Sequence, residues 1–470
     1  MELKNRITQV FNSQKERKYF QKNTTAQYRI KKLKAVKKYI LDHQTEIESA
    51  LKEDFSKAPA ETLLTEVMPV IAMINLTVKK LKRWMKPKRI SSSLLFFGTS
   101  SSISYEAKGQ VLIISPWNYP FQLNLYPILT AFSAGNTVMI KPSEYTPQTN
   151  KIIGKLISEV FDENEICLFE GEVEVTNILM EQAFDHVFFT GSTSVGKIIM
   201  EKASKHLTSV SLELGGKSPA IIADDFSLRT AAERVVWGKF VNAGQTCVAP
   251  DYILIHKDRS AEFVTAVKEQ IENRYGNQFT QNEDFCQIIT QRHAQRLKDL
   301  VQDAKSKGAK VLFGGHLFEN RKFEPTILID VNESMQVMQE EIFGPILPIV
   351  TVDSKADMVK FIQRLDNPLA MYLFSEDKEV IEFFRQNTQS GGLGINETLL
   401  HVAHSRLPFG GAGKSGHGRY HGHEGFIEFS NQRAVLKRKF DGKMSYFYPP
   451  YTEKLKALID MTLRKLNYFF

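Results

Sequence analysis

The sequence predicts an α/β protein, a doubly wound parallel sheet followed by a second α/β unit. Between residues 110 and 225, short apolar runs alternate with helical stretches: VLIIS (111–115), TVMIKP (137–142), EICLFEG (165–171), HVFFT (186–190) and SVSLEL (209–214). Strands alternating with helices need crossover connections, and so pair in parallel. A similar alternation resumes with SPAIIAD (218–224), DYILIH (251–256), AKVLFGG (309–315) and PILPIV (345–350). At 470 residues the chain also exceeds one ordinary core, so two or three domains are expected.

The flanking segments read differently. Residues 1–85 are charged, poor in glycine and helical in pattern, and close with KKLKRWMKPKR (79–89), seven of whose eleven residues are basic. That run reads as a solvated helix end and a linker at Pro87. ISSSLLFFGTSSSISYEAKG (90–109) is a Ser/Gly-punctuated pair of apolar runs, expected to form a hairpin or arm. The last thirty residues read as a polar, aromatic linker and a basic helical stretch.

Composition bounds the function. With 42% hydrophobic and 24% charged residues the chain has ample material for a core. A net charge of +8 is modest at this length and does not require nucleic acid. MELKNRITQVFNSQK lacks the apolar core of a signal peptide, and no apolar run approaches the roughly 18 residues that cross a bilayer. Cys167, Cys247 and Cys286 are too few and too far apart for a disulfide framework or a zinc site. The reading is intracellular, reduced and metal-free.

HVFFTGSTSVGKII (186–199) approximates a phosphate-binding loop, but Ile198 stands where a magnesium-ligating Ser or Thr is needed. LGGKS (214–218) has Ser211 in place of the first glycine, so it fails as well, although PAIIADD (219–225) imitates the accompanying acidic strand. A more general feature survives. A glycine turn after a strand presents N–H groups at a helix N-terminus, where the dipole favours an anion such as a pyrophosphate. Three other stretches carry chemistry. FVNAGQTCVAPDY (240–252) sets Cys247 among small and polar residues, though most intracellular cysteines are small buried hydrophobes. SVSLELGGKSP (209–219) puts Glu213 at a strand end, where α/β ligand sites form; by itself it could be an ordinary exposed glutamate. ISPWNYPF (114–121) carries Asn118 in a Pro-bounded turn, either as a turn former or as a donor to an oxyanion.

With EEIFGP (340–345) and LPFGGAGKSGHGRYHGHEGF (407–426), these stretches resemble the aldehyde dehydrogenase superfamily in order and spacing from about residue 20 to 440. WGKFVNAGQTCVAPDY and RYHGH resemble its class 3-like branch, which acts on medium-chain, long-chain and aromatic aldehydes. The resemblance implies a Rossmann-like cofactor domain (1–86 and 105–213), a catalytic domain (214–410), a β oligomerisation arm (87–104 and 424–440) and a C-terminal tail (441–470).

It also implies roles. Cys247 is the nucleophile, whose thiohemiacetal expels hydride to a nicotinamide and leaves a thioester. Asn118 and the Cys247 N–H hold the oxyanion, and Glu213 activates the water that cleaves the thioester. Trp117, Lys141, Ser143, Glu144, Gly191, Ser192, Gly196, Leu214, Glu341 and Phe343 are the cofactor contacts. Glu144 near the adenosine ribose favours NAD, while Lys141 leaves NADP open. Lys197 falls on the surface beyond the turn. The partners implied are a hydrophobic aldehyde (medium-chain, long-chain, aromatic or isoprenoid) and a second copy in a homodimer, in the cytoplasm. Thioester hydrolysis without redox is disfavoured by Glu341 and Phe343, and acyl transfer to coenzyme A by the presence of Glu213.

The tail YPPYTEKLKALIDMTLRKLNYFF (448–470) is read directly from periodicity. Leu455, Leu458, Ile459, Thr462, Leu463 and Leu466 form one stripe beside Lys454, Lys456, Arg464 and Lys465, and Tyr468, Phe469 and Phe470 end the chain. Such a helix either packs on the protein's own body or on a dimer partner, or lies peripherally at the inner face of a membrane.

Overall fold

The chain, a computed structural model, is described for residues 1–91, 96, 98–276, 278–438 and 448–466, with side chains to Arg464. Each apolar run expected to be a strand is one, with ends moved by a few residues at most. Gln110–Ile114, Thr137–Lys141, Ile166–Leu168, His186–Gly191 and Ser209–Leu214 pair in parallel, and Gly416–His417 adds an antiparallel edge. Gln110–Ile114, the first of these strands in sequence, lies between Thr137–Lys141 and His186–Gly191. Strand order therefore reverses on either side of it, which makes a topological switch point.

The sheet is buried on both faces, as a doubly wound sheet must be. Val111, Ile113, Val138 and Ile140 join the main core with helix Pro120–Ala134, while Leu112, Ile114, Met139 and Phe189 pack with Ile7, Val10 and Phe11 of helix Glu2–Lys22. The alternation of side chains along each strand distributes them between these two layers.

A seven-stranded sheet runs Lys310–Phe313, Thr326–Ile329, Ile346–Val352, Tyr252–His256, Pro219–Ile222, Ala370–Phe374, Gly392–Ile395. Only its Lys310–Phe313 edge is antiparallel. Three of these strands escaped the sequence reading. Thr326–Ile329 is very short, Gly392–Ile395 carries two strand-weakening glycines, and Ala370–Phe374 follows Pro368 without alternation.

In a third sheet Lys88–Ile90, Thr99–Ala107 and Ser430–Arg438 pair antiparallel, with Ser430 opposite Ala107 and Arg438 opposite Thr99. Of the expected arm segments, 92–95, 97, 439 and 440 lie outside the described residues, and 424–428 belong to helix Gly422–Glu428.

One expectation needs correcting. The helical stretch Pro59–Trp84, 26 residues with a window of mean hydropathy 1.4, is long and apolar enough by length and composition to cross a membrane. Thr65, Glu66, Asn75 and Thr77 interrupt it, so it does not read as one apolar run. Here it packs on helices Ala26–Asp42, Pro120–Ala134 and Gly422–Glu428, burying Val70, Met73, Ile74, Leu76 and Leu81. Helix Glu453–Leu466 confirms the helical reading of the tail. It buries Leu455 and exposes Leu458, Ile459, Met461 and Leu463. Residues 441–447, the side chains of Lys465 and Leu466, and Tyr468, Phe469 and Phe470 lie outside the described residues.

Candidate active site

The carboxyl ends of the parallel strands bring the predicted residues together. Gln110–Ile114 delivers Trp117 and Asn118, and His186–Gly191 runs into Ser192, whose hydroxyl accepts from the Val195 N–H at 3.4 Å as N-cap of helix Thr193–Ser204. Gly191 lies opposite Leu214 in register and Thr190 opposite Glu213. A Cβ on Gly196 would come within 2.8 Å of the Leu214 side chain, so the glycine lets helix and strand close up. Lys197 is exposed.

Asn118 is buried on the loop leading into helix Pro120–Ala134. Its side-chain amide donates to the Gln245 carbonyl at 3.0 Å, and its own carbonyl accepts from the Asn242 amide at 2.8 Å. Tyr119 Oη and Thr246 Oγ1 close the same gap at 2.7 Å. These bonds bind the Asn118 loop to the turn carrying Cys247. Asn242 and Ala243 hold left-handed φ of 55° and 50°, and Gly244 follows at 75°. A Cβ on Gly244 would lie 2.4 Å from the Gly344 carbonyl oxygen, so only glycine lets the Cys247 turn meet the EEIFGP loop. Cys247 is half-buried and unbridged. Burial raises its thiol well above the ordinary range, with further pushes from Glu341 and Glu213; the N–H groups of Cys247 and Val248 pull the other way.

Glu213 is buried, and neither carboxyl oxygen has a hydrogen-bond partner among the described residues. Burial raises its pKa well above the carboxylate range, and Arg419 opposes the shift. Such an orphaned group costs stability, which marks it as functional. Burial also pushes Glu341 up to about 8, helped by Asp251 and opposed by the Gly216 N–H. A Cβ on Gly215 would lie 1.8 Å from a Glu341 oxygen, so the bare backbone after Glu213 makes room for it. The loop around Glu341 is anchored by residues not singled out from the sequence. Lys217 pairs with Asp251 and donates to the carbonyls of Val337 and Glu340 at 2.9 and 3.0 Å, while Asp251 accepts from the Ile342 N–H at 3.1 Å. Arg296 donates to the Ile342 carbonyl at 2.8 Å. Phe343, at a φ of 51°, meets the Trp117 ring edge-on at 5.4 Å.

The predicted adenosine-end residues form their own group at the end of Thr137–Lys141. Lys141 bonds Glu144 at 2.7 Å, and the Ser143 carbonyl accepts from Asn150 at 2.7 Å. The donor set fits a dinucleotide. It has a capped but solvent-facing helix N-terminus, an acidic and a basic group at the end of Thr137–Lys141, and a second acid, Glu341, beside the bare backbone of Gly215. No group of three His, Cys, Asp or Glu arranged to hold a metal occurs among the described residues.

Sequence reasoning missed the buried Lys57 and Glu66 and the half-buried Glu61 behind the Asn118 and Cys247 loops, and also the buried Tyr420 and His421. Only RYHGH had pointed toward the last two.

The sequence model of the Aldehyde dehydrogenase family matches residues 5–435. The probable coniferyl aldehyde dehydrogenase of Pseudomonas aeruginosa is 41% identical over 456 residues, covering 97% of this chain and 96% of that protein. The 4,4'-diaponeurosporen-aldehyde dehydrogenase of Staphylococcus aureus is 42% identical over 432 residues, 92% of this chain and 94% of that protein. Aldehyde dehydrogenase family 3 member B1 of Rattus norvegicus is 39% identical over 444 residues, 94% of each. A solved structure described as the substrate-bound state of Staphylococcus aureus AldH superposes with a TM-score of 0.93 at 41% identity, covering 97% of this chain and 99% of that one. The chain belongs to the aldehyde dehydrogenase family, with relatives in its class 3-like branch, and is an NAD(P)-dependent oxidoreductase.

Proposed function

We propose that the chain oxidises hydrophobic aldehydes, aromatic or isoprenoid as well as medium- and long-chain, to carboxylic acids, with NAD preferred. The observation that carries this is the meeting of Cys247 with the Asn118 loop and two acids, the buried Glu213 and the half-buried Glu341, beside the rings of Trp117, Tyr119 and Phe343. The relatives named for coniferyl and diaponeurosporen aldehydes support the substrate class.

In this reading Cys247 Sγ attacks the aldehyde carbon to form a thiohemiacetal. The oxygen that becomes negative is held by the Asn118 amide and the Cys247 N–H, donors already fixed by the folded loops. When bound, the nicotinamide supplies the hydride acceptor. Glu341 and Phe343 would hold its ribose and ring, Gly191, Ser192 and Gly196 would shape the turn for the pyrophosphate, Lys141 and Glu144 would meet the adenosine ribose, and Trp117, Ser143 and Leu214 would complete the cofactor contacts. Glu213 then takes a proton from the water that attacks the thioester, releasing the acid and the Cys247 thiol.

The test is NADH or NADPH production across an aldehyde chain-length series with aromatic and isoprenoid members. Efficiency is expected to rise with apolar surface and to be higher with NAD. Glu144→Gln removes the charge that repels a 2′-phosphate and frees Lys141, so the NADP/NAD efficiency ratio should rise about tenfold, the loss of one charge-assisted interaction. A preference for short polar aldehydes would overturn the substrate reading, and an unchanged ratio the placement of Glu144.

The arm and tail invite two further assignments. Among the described residues Ser430–Arg438 is an edge of its sheet, nine residues long and almost wholly exposed, Val435 and Leu436 included. Such an edge calls for a partner strand, and a second copy supplies one in a homodimer. The exposed stripe of helix Glu453–Leu466, beside Lys454, Lys456 and Arg464, suits an anionic bilayer surface. Sedimentation of the full chain, alone and with anionic vesicles, against a chain ending after Pro450 tests both. A dimer is expected in each case, and vesicle binding only with the tail; a monomer, or equal vesicle binding, would overturn the corresponding assignment.

A further inference from the structure

Behind the site, three ionisable side chains within residues 57–66, two of them buried and Glu61 half-buried, press on the Asn118 and Cys247 loops, and the reaction itself uses none of them. Lys57 and Glu66 are fully buried and bond at 2.7 Å. The other Glu66 oxygen accepts from the N–H groups of Phe121 and Gln122 at 3.0 and 2.9 Å. These are orphan donors in the first turn of helix Pro120–Ala134, whose own N-cap residue, Tyr119, offers no side-chain bond. Glu66 sits in the π-helical turn Leu63–Val67, the one irregularity of its long helix. Lys57 also donates to the Asn118 carbonyl at 3.4 Å and lies over the Tyr119 ring at 4.2 Å. The Asn118 loop is thus gripped from behind.

Glu61 grips the other loop. Its carboxylate accepts from the Asn242 N–H at 3.0 Å. Asn242 and the following Ala243 hold the left-handed backbone that L side chains disfavour, only four residues before Cys247. The Asn242 side-chain amide in turn donates to the carbonyls of Asn118 and Gln245, at 2.8 and 3.0 Å, and Asn118 donates to that same Gln245 carbonyl at 3.0 Å. The chain of contacts from Glu61 therefore reaches both halves of the oxyanion site through a single residue.

We propose that Glu61 is a positioning residue, whose carboxylate fixes the left-handed Asn242–Ala243 step and thereby the distance between the Asn118 amide and Cys247. The proposal rests on the reading of Asn118 as oxyanion donor and Cys247 as nucleophile. Lys57 and Glu66 set the opposing loop, so the N-terminal helices act as a two-sided clamp on the catalytic geometry.

Glu61 also confers a pH dependence. Burial pushes its carboxyl up to about 7; Lys57 and the Asn242 N–H hold it down, while Glu66 and Asp284 push it further up. Tyr119, Tyr275 and Cys286 complete the titratable groups facing it. Below that pH the carboxyl is neutral and its bond to the Asn242 N–H loses its charge assistance; above it the clamp is at full strength.

The test compares Glu61→Gln, which keeps an acceptor but cannot titrate, with Glu61→Ala, which keeps none. At about pH 8, E61Q should retain kcat within about threefold, while E61A loses about a hundredfold with the KM for NAD nearly unchanged, as expected when reacting groups are misplaced by about an ångström. E61Q should also lack the inflection near pH 7, no more than about threefold, that Glu61 adds to the rise of kcat/KM with pH common to both proteins. A parental kcat in E61A, an equal loss in both variants, or the parental inflection near pH 7 in E61Q would overturn the proposal. Should E61A fail to fold, the E61Q profile decides alone. Cys247→Ser is run beside them: if it still oxidises aldehydes, the reading of the nucleophile fails, whatever Glu61 does.

Discussion

Cys247→Ala is expected to abolish aldehyde oxidation, a loss of about 10⁴-fold or more, while NAD affinity stays within about twofold. The other thiols cannot substitute. Cys167 is buried in the smaller core layer, its pKa raised to about 11 mainly by burial. Cys286 is buried behind the loop, 3.9 Å from the Gln245 amide and 3.7 Å from Asn242 Oδ1, and burial raises its pKa well above the ordinary thiol range. Cys247 alone combines partial exposure, its own and the Val248 N–H as stabilisers, and two acids at hand. Its thiol nonetheless rests protonated, because burial and both carboxyls raise its pKa, so attack needs a proton acceptor. The thiol gives up its proton more readily as pH rises, so kcat/KM should climb with pH. Steady-state NADH production and calorimetric NAD titration check both halves; substantial turnover by the alanine variant would sink the assignment.

How far the sequence reached depended on whether a feature was local. The switch-point sheet was legible because each strand is a short apolar run between helical stretches, and because Val111 and Ile113 alternate with Leu112 and Ile114 for two buried layers. Cys247, Glu213 and Asn118 were legible as residue types at strand ends and turns, and family resemblance then gave them roles. Partners distant in sequence were not. Glu61 and Asn242 lie 181 positions apart, and in sequence Glu61 is one more acid on an amphipathic helix. Lys217 drew notice only as part of an imperfect phosphate-loop pattern; its pairing with Asp251 beneath the Glu341 loop exists only once two strands of the second sheet are formed. The helix Pro59–Trp84 misled in the opposite direction, since its polar interruptions hid an apolar length that the fold uses for packing.

Glu213→Gln should separate the two halves of the reaction. Glu213 stands at the end of Ser209–Leu214, paired across the sheet edge with Gly416, and its two oxygens meet no donor among the described residues. A buried acid left free of hydrogen bonds is available to a water, and the charge of Arg419 favours its ionised form. Thiohemiacetal formation and oxidation do not require that water, so the variant should release NADH in a single burst close to one equivalent per site. Thioester hydrolysis does require it, and general-base loss slows such a step by about 10²- to 10⁴-fold. The acyl-enzyme should then accumulate and appear as a mass increment on Cys247 after quenching. In the parent, deacylation should accelerate as pH rises, because the raised pKa of Glu213 keeps it neutral and inactive as a base at lower pH. Equal losses in burst and steady state, with no acyl adduct, would instead place Glu213 in the first half of the reaction.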